Sequence, residues 1–466
     1  MSERRGKTIQ KRRRKQKCGA GRILLTGLLL LAVSGGIWLL QGMHGPEQET
    51  EQSDTDLQSV QEAEQNDTEL QPVQAAEHVD ADTPSDQKTG RTDTDTSPSQ
   101  DSGETEMSMV SAEKLLEEEV EAHLADMTTE EKVLQLFMIT PEALTGAASV
   151  TAAGDRTREA ILQYPVGGII YFAGNLKEPE QVHSMLENTR SYYEEAGFVA
   201  PFLGVDEEGG RVARIGGQPA FGVEHIGDMC SIGDRRDAQE ARRVGNVIGT
   251  YLSELGFSLD FAPVADVLTD PDNQVIGRRS YGTDPELVAE LSMETAEGLE
   301  EAGIWAVLKH YPGHGATRED SHDGYAYTDK TLEELLEAEL IPFRRGIEEG
   351  IYFIMAAHIS VPSVTGDQVP CTLSPYMITD VLRGRMGYDG IVVTDAMNMG
   401  AIRQQYSSGE ASVLAIQAGV DLILMPADFH SAFEGVLDAL EAGTLTEERI
   451  DESIRRILRV KLLPQD

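Results

Sequence analysis

The sequence predicts an α/β protein whose folded part is a single (β/α)8 barrel of the TIM type, preceded by a transmembrane anchor and a disordered linker. Three observations carry that expectation. From about residue 110 short apolar strands alternate with amphipathic helices, eight strand segments can be counted, and polar residues gather just past the strands' carboxyl ends.

Three composition regimes precede the barrel. Residues 1–22 carry ten Lys and Arg against the single Glu3, a basic tail suited to an anionic membrane face. Residues 23–43, "ILLTGLLLLAVSGGIWLLQGM", are apolar and uncharged for about 20 residues, the length that spans a bilayer core as a helix. Basic charge on its N-terminal side places the remainder outside the cytoplasm. The alternative is a cleaved secretory signal with "AVS" at 32–34 as the cleavage site, and the continuation of the apolar run to Leu40 favours a retained anchor. Residues 44–108 hold 18 Asp and Glu against 2 Lys and Arg and almost no aromatic residues. Such a segment has too little apolar surface to bury and is expected to be a self-repelling spacer.

Residues 109–466 are then the catalytic-domain candidate. They hold 61 acidic and 27 basic residues, a balance that argues against a nucleic-acid partner. The three cysteines, Cys18, Cys230 and Cys371, have no metal-binding spacing and allow at most one disulfide outside the cell. No cofactor or metal is expected, and a monomer is.

In order, the strand segments are "VLQLFMI" (133–139), "VGGIIYF" (166–172), "PFLGVD" (201–206), "SLDFAPVADV" (258–267), "WAVLKHY" (305–311), "YFIMAAHI" (352–359), "GIVVTDAM" (390–397) and "VDLILMP" (420–426). Between them lie stretches such as "PEQVHSMLENTRSYYEEAG" and "TLEELLEAELIPFRRGIEEG", with apolar residues at helical spacing and glycine near the end. A last helix, "TEERIDESIRRILRVKLL", would close the domain. A doubly wound sheet is the competing architecture, and no short repeat suggests a solenoid.

Chemistry in a barrel gathers where strands end, and five of the eight ends carry charged or His residues. Asp395 directly follows a β-branched run in "GIVVTDAMNMGAI". Its position alone leaves two readings, a carboxylate facing a ligand or a cap on the next helix. In "KHYPGHGATREDSHDG" (309–324), His310 and His314 are four apart and, with Asp320 and His322, could suggest zinc. Pro and Gly between the two histidines break the helix that would put them on one face. Asp320 and His322, two apart on a loop, can instead form a carboxylate–imidazole pair, which makes His322 a general acid/base candidate; an ordinary polar surface loop is the alternative. Arg211, Arg214, Arg278 and Arg279 lie beside glycines near strand ends, where they could grip a ligand or pair with the domain's acids.

Taken together, these segments resemble the β-N-acetylhexosaminidase branch of glycoside hydrolase family 3. The resemblance runs from "MTTEEKVLQLF" through "GVDEEGGRVAR", "FAPVADV", "IGRRSYG", "KHYPGHG", "DSH" and "VVTDAMNMGAI" to "SIRRILRVKLL". It implies a (β/α)8 barrel that removes terminal N-acetylglucosamine from cell-wall muropeptides with retention of configuration. It implies Asp395 as nucleophile, His322 as acid/base with Asp320 orienting it, and Asp206, Arg214, Arg279, Lys309 and His310 as sugar-binding residues.

A retaining glycosidase needs one group to attack the anomeric carbon and another to protonate the leaving oxygen. An imidazole, with an ordinary pKa of ~6.5, can serve as the second. Three positions depart from the family's pattern: Glu207 stands where Gln is common, Tyr311 replaces Phe, and "DGYAYTD" follows His322. The rivals are a phosphorylase using phosphate in place of water, a β-glucosidase of the same family, and a noncatalytic wall-glycan binder. The expected partners are N-acetylglucosamine-containing wall glycans and, through the anchor, the membrane, with the barrel extracytoplasmic.

Overall fold

Eight parallel strands come round on themselves in chain order. They are β1 (Phe137–Ile139), β2 (Gly168–Ile170), β3 (Phe202–Val205), β6 (Leu259–Asp260), β7 (Trp305–Tyr311), β9 (Phe353–Ala356), β11 (Ile391–Thr394) and β12 (Ile423–Leu424). β12 pairs with β1 through Phe137 and Ile423, and a parallel bridge between Val393 and Leu422 joins β11 to the entry of β12. The remaining strands are rim ribbons: β4 (Glu207–Gly209) with β5 (Val212–Ala213), and β8 (Ala326–Tyr327) with β10 (Ile359–Ser360). This computed structural model describes residues 101–317, 320–321 and 324–463. The basic tail, the apolar segment 23–43, nearly all of the acidic segment and His322 lie outside the described residues. Among those described, no helix is long and apolar enough to cross a membrane.

All eight expected strands form, β7 over the whole of its segment and the other seven as shorter cores of theirs. The first is the most trimmed. Thr128 and Glu131 make a reciprocal capping box, so Thr129–Gln135 winds as a helix and extended backbone begins only at Phe137. The stretch expected as one helix at 331–350 divides into Leu332–Glu337 and Ile341–Glu349. Pro342 explains the break, because its ring opposes helical continuation while suiting the first turn of a new helix. The final helix runs from Glu447 to Leu462.

A helix from Asp101 to Asp126 starts ahead of the expected boundary at 109. It buries Val120 and Leu124 and pairs Glu121 with Arg455 (2.5 Å) and Glu117 with Arg459 (3.1 Å), so it is fastened to the final helix. Inside the barrel, Phe202 and Phe353 open non-adjacent strands and meet edge to face at 5.2 Å. Such packing fixes the strands rigidly, and rigid strands are what hold rim side chains in place.

Candidate active site

The rim is organised by a buried row of alternating charges. Asp206 follows β3, Glu208 lies on β4, Lys309 is on β7 and Arg279 closes the 3-10 turn Gly277–Arg279. The Lys309 ammonium lies 2.9 Å from Asp206 Oδ1 and 2.6 Å from Glu208 Oε1. Arg279 grips the other side of Glu208, with Nε and Nη2 each 2.7 Å from a carboxylate oxygen. A planar guanidinium facing a carboxylate this way fixes both groups. Burial opposes charge on Glu208, but Arg279 and Lys309 hold its carboxyl well below the usual range. Burial likewise opposes charge on Lys309, yet Asp206 and Glu208 raise its pKa, so it stays an ammonium ion.

β7 delivers two functional side chains because its pairing with β9 is irregular. Leu308 pairs with Ile354 and Tyr311 with Ala356, so Lys309 and His310 together face the single residue between those partners. A local bulge of this kind re-aims side chains at a barrel rim.

Asp266, after β6, orders the next layer. Its Oδ2 is 2.7 Å from His310 Nδ1, and its Oδ1 accepts the backbone N–H groups of His310 (3.2 Å) and His314 (2.6 Å). Burial pushes the Asp266 carboxyl up, but His310 beside it and these hydrogen bonds bring it below its ordinary value. The carboxylate accepts from His310 Nδ1, while Nε2 lies 3.5 Å from Arg279 Nη2.

His314 ties the loop that carries Asp320 and Ser321 to the barrel. Its Nδ1 is 2.9 Å from Thr317 Oγ1 and its Nε2 is 3.1 Å from Ser321 Oγ, while Thr317 Oγ1 also donates to the His314 carbonyl. With the Thr317 proton on that carbonyl, His314 donates from Nδ1 and accepts the Ser321 hydroxyl at Nε2. Burial lowers the His314 pKa, which favours this neutral ring. The Ser321 carbonyl also accepts the Ala401 N–H at 3.2 Å.

Both glycines around His314 are required by close approach. Gly313 has φ +126°, and a Cβ there would lie 2.6 Å from Glu339 Cβ; at Gly315 it would lie 2.1 Å from the Val267 carbonyl oxygen.

Asp395 follows β11 and is half-buried at the same rim. Its backbone N–H donates to the Ala356 carbonyl (2.8 Å), and its Oδ1 accepts the Ala396 N–H at 2.7 Å. From the end of β9, His358 Nε2 donates to the Ala396 carbonyl at 3.1 Å, so Ala396 is held on both sides. The structure thus brings Asp206, Arg279, Lys309 and His310 into one linked cluster. Arg214 lies on the loop after β5, its guanidinium carbon 5.9 Å from the Phe172 ring centroid past β2 rather than against a member of that cluster. Arg211 and Arg278 fasten loops instead, Arg211 to the Gln274 carbonyl (2.9 Å) and Arg278 to Asp228 (2.6 Å). Asp320 is described, whereas His322 is not, so the expected pairing of the two rests on sequence.

Three contributors had no assigned role in the sequence reading. Asp266 lies inside an apolar-looking run and Glu208 inside an acidic one, so neither is conspicuous; His358 sat at a noted strand end. Glu207 has a separate structural task. Its buried carboxylate accepts the N–H groups of Ile215 (2.8 Å) and Gly216 (2.7 Å) and the Tyr251 hydroxyl (2.9 Å), which shapes the loop beyond Arg214.

A closed parallel barrel with a charged, cross-linked carboxyl-end rim defines an α/β-barrel protein whose candidate active site is at that rim. The chain belongs to glycosyl hydrolase family 3, since the family model described as the glycosyl hydrolase family 3 N terminal domain matches residues 128–460.

Among its relatives, β-hexosaminidase A of Pseudoalteromonas piscicida is 35% identical over 343 residues, covering 68% of this chain and 57% of that protein. β-Hexosaminidase LpqI of Mycobacterium tuberculosis is 35% identical over 271 residues, covering 56% of this chain and 67% of that protein. A solved family 3 β-N-acetylglucosaminidase from Paenibacillus sp. strain FPU-7 superposes with a TM-score of 0.67 at 39% identity, covering 72% of this chain and 64% of that one. The chain therefore spans somewhat less than two thirds of the first and third of these proteins.

Proposed function

We propose that this protein is a retaining exo-β-N-acetylhexosaminidase that removes terminal N-acetylglucosamine from peptidoglycan fragments. The observation that carries the reading is Asp395, a carboxylate held by the Ala396 N–H at the end of β11, on the same rim as the Asp206–Lys309–Glu208–Arg279 row. Family membership and the names of the relatives support the sugar class.

In the proposed reaction Asp395 attacks the anomeric carbon while His322, oriented by Asp320, protonates the departing oxygen. The bond between anomeric carbon and leaving oxygen breaks as the bond to the Asp395 carboxylate forms. His322, now neutral, takes a proton from water, and the water oxygen displaces Asp395 with a second inversion. Asp206, Lys309, Arg279, His310 and Arg214 hold sugar hydroxyls and favour ring distortion toward the oxocarbenium-like transition state. Segment 23–43 anchors the protein in the membrane, and the acidic segment lets the barrel reach the wall.

The test is the full chain with a GlcNAc–MurNAc fragment, with and without phosphate, followed by product identification. Free N-acetylglucosamine at a rate indifferent to phosphate is expected. Sugar 1-phosphate formed at a phosphate-dependent rate would replace the hydrolase with a phosphorylase.

A further inference from the structure

From Gly324 onward, the segment after the catalytic loop, "GYAYTD", has a defined structure. Ala326–Tyr327 forms β8, which pairs in parallel with β10 in the register Ala326 to Ile359 and Tyr327 to Ser360. The Thr328 N–H continues the ladder to the Ser360 carbonyl at 3.1 Å. Ala326, Ala357 and Ile359 form a small buried cluster that pins this ribbon to the barrel. Strand alternation then sends the side chains on either side of Ala326 to the opposite face. There the rings of Tyr325 and Tyr327 stack, their centroids 5.4 Å apart and their planes within 16°.

Tyr327 is 36% exposed, one of three large apolar-bodied side chains left open among the described residues. Two near-parallel rings on a braced strand make a flat face. Pyranose rings present an apolar C–H face that suits such a surface, while the phenol hydroxyls can bond to sugar hydroxyls at its edge.

Two connections place this face relative to the chemistry. The Gly324 N–H bonds the Asp320 carbonyl at 3.3 Å, so the ring pair begins one residue after the turn that closes the catalytic loop. On the other side, β10 follows directly from His358, which holds the residue next to Asp395. A group that protonates the departing oxygen must touch that oxygen, so the sugar leaving with it lies on the acid's side of the site.

We propose that Tyr325 and Tyr327 form a stacking platform for the sugar ring on the reducing side of the scissile bond, an inference that rests on the hydrolase reading above. The platform selects saccharide leaving groups over small ones. The test compares kcat/KM of the wild-type chain, Tyr327→Ala and Tyr327→Phe on N,N′-diacetylchitobiose and on methyl N-acetyl-β-glucosaminide, which lacks the second ring. Tyr327→Ala is expected to lose about tenfold on the disaccharide and less than about twofold on the methyl glycoside, and Tyr327→Phe to keep most of the disaccharide activity. Equal losses on both substrates, or none on the disaccharide, overturn the platform alone. A wild-type chain that cleaves neither substrate overturns the hydrolase reading and the platform with it.

Discussion

His314 Nε2 lies 3.1 Å from the hydroxyl of Ser321, the residue between Asp320 and His322. One end of the catalytic loop is therefore fastened by a buried imidazole that does no proton chemistry of its own in the proposed mechanism. Ser321→Ala removes that contact with little change in volume. The expected result is a fall in kcat of roughly fivefold with KM within about twofold, since a buried hydrogen bond contributes about 1 kcal/mol and acts here on loop position. A rise in KM at constant kcat would assign Ser321 to sugar binding instead.

The carboxyl groups of two buried aspartates near the rim are shifted in opposite directions. Burial pushes the Asp260 carboxyl well above its usual range, and Oδ1 accepts one N–H, from Glu207 at 2.9 Å. Asp266, with an imidazole and two N–H donors, stays ionised. Replacement by the isosteric amide should separate them. Asp260→Asn is expected to stay within about 1 kcal/mol of wild type at pH 7, whereas Asp266→Asn should cost about 2 to 4 kcal/mol in denaturant melts. Similar losses in both variants would contradict this assignment.

The charge row has a pH consequence. The folded-state pKa values of Glu208 and Asp266 are depressed, so the stability they contribute is fully present above the unfolded-state carboxylate range of about 4. It is lost as pH falls through the lower folded values. Glu300 behaves oppositely: burial, with a smaller contribution from Glu297, pushes its carboxyl up to about 7. It costs stability as pH rises from about 4 to 7, after which the cost is constant. Glu300→Gln should therefore stabilise the protein at pH 8, by up to about 3 kcal/mol, and change little at pH 4. A gain of equal size at both pH values would show that the effect is not ionisation.

Lys309 bridges two carboxylates, so its removal should weaken both the fold and the sugar site. Lys309→Met leaves Asp206 and Glu208 sharing a poorly compensated site and is expected to destabilise the fold by about 3 to 5 kcal/mol. The variant should also weaken inhibition by free N-acetylglucosamine at least about tenfold, measured as a Ki under conditions where it is fully folded. An unchanged Ki would remove Lys309 from the sugar site.

The strands were legible because each is a short apolar run bounded by turn residues, and parallel strands covered on both faces have that pattern. Asp395 was legible for a related reason: a charged residue directly after such a run has few places to go except the rim; the roles of Asp206, Arg279 and Lys309 came from the family resemblance. Asp266 was not, because its partners His310 and His314 lie 44 and 48 residues away and "FAPVADV" reads as core. Glu208 was hidden in the same way, since its pairing with Arg279 spans 71 residues. The divided helix around Pro342 could have been read from the proline alone.

The proposed mechanism depends above all on Asp395 as the nucleophile. Incubating the full chain with 5-fluoro-N-acetyl-β-glucosaminyl fluoride, whose glycosyl-enzyme intermediate turns over slowly, and sequencing the labelled peptide by mass spectrometry tests that claim directly. One glycosyl adduct is expected, located on Asp395 and absent from Asp395→Ala. An adduct on another residue, or steady turnover of the reagent by Asp395→Ala, would contradict it.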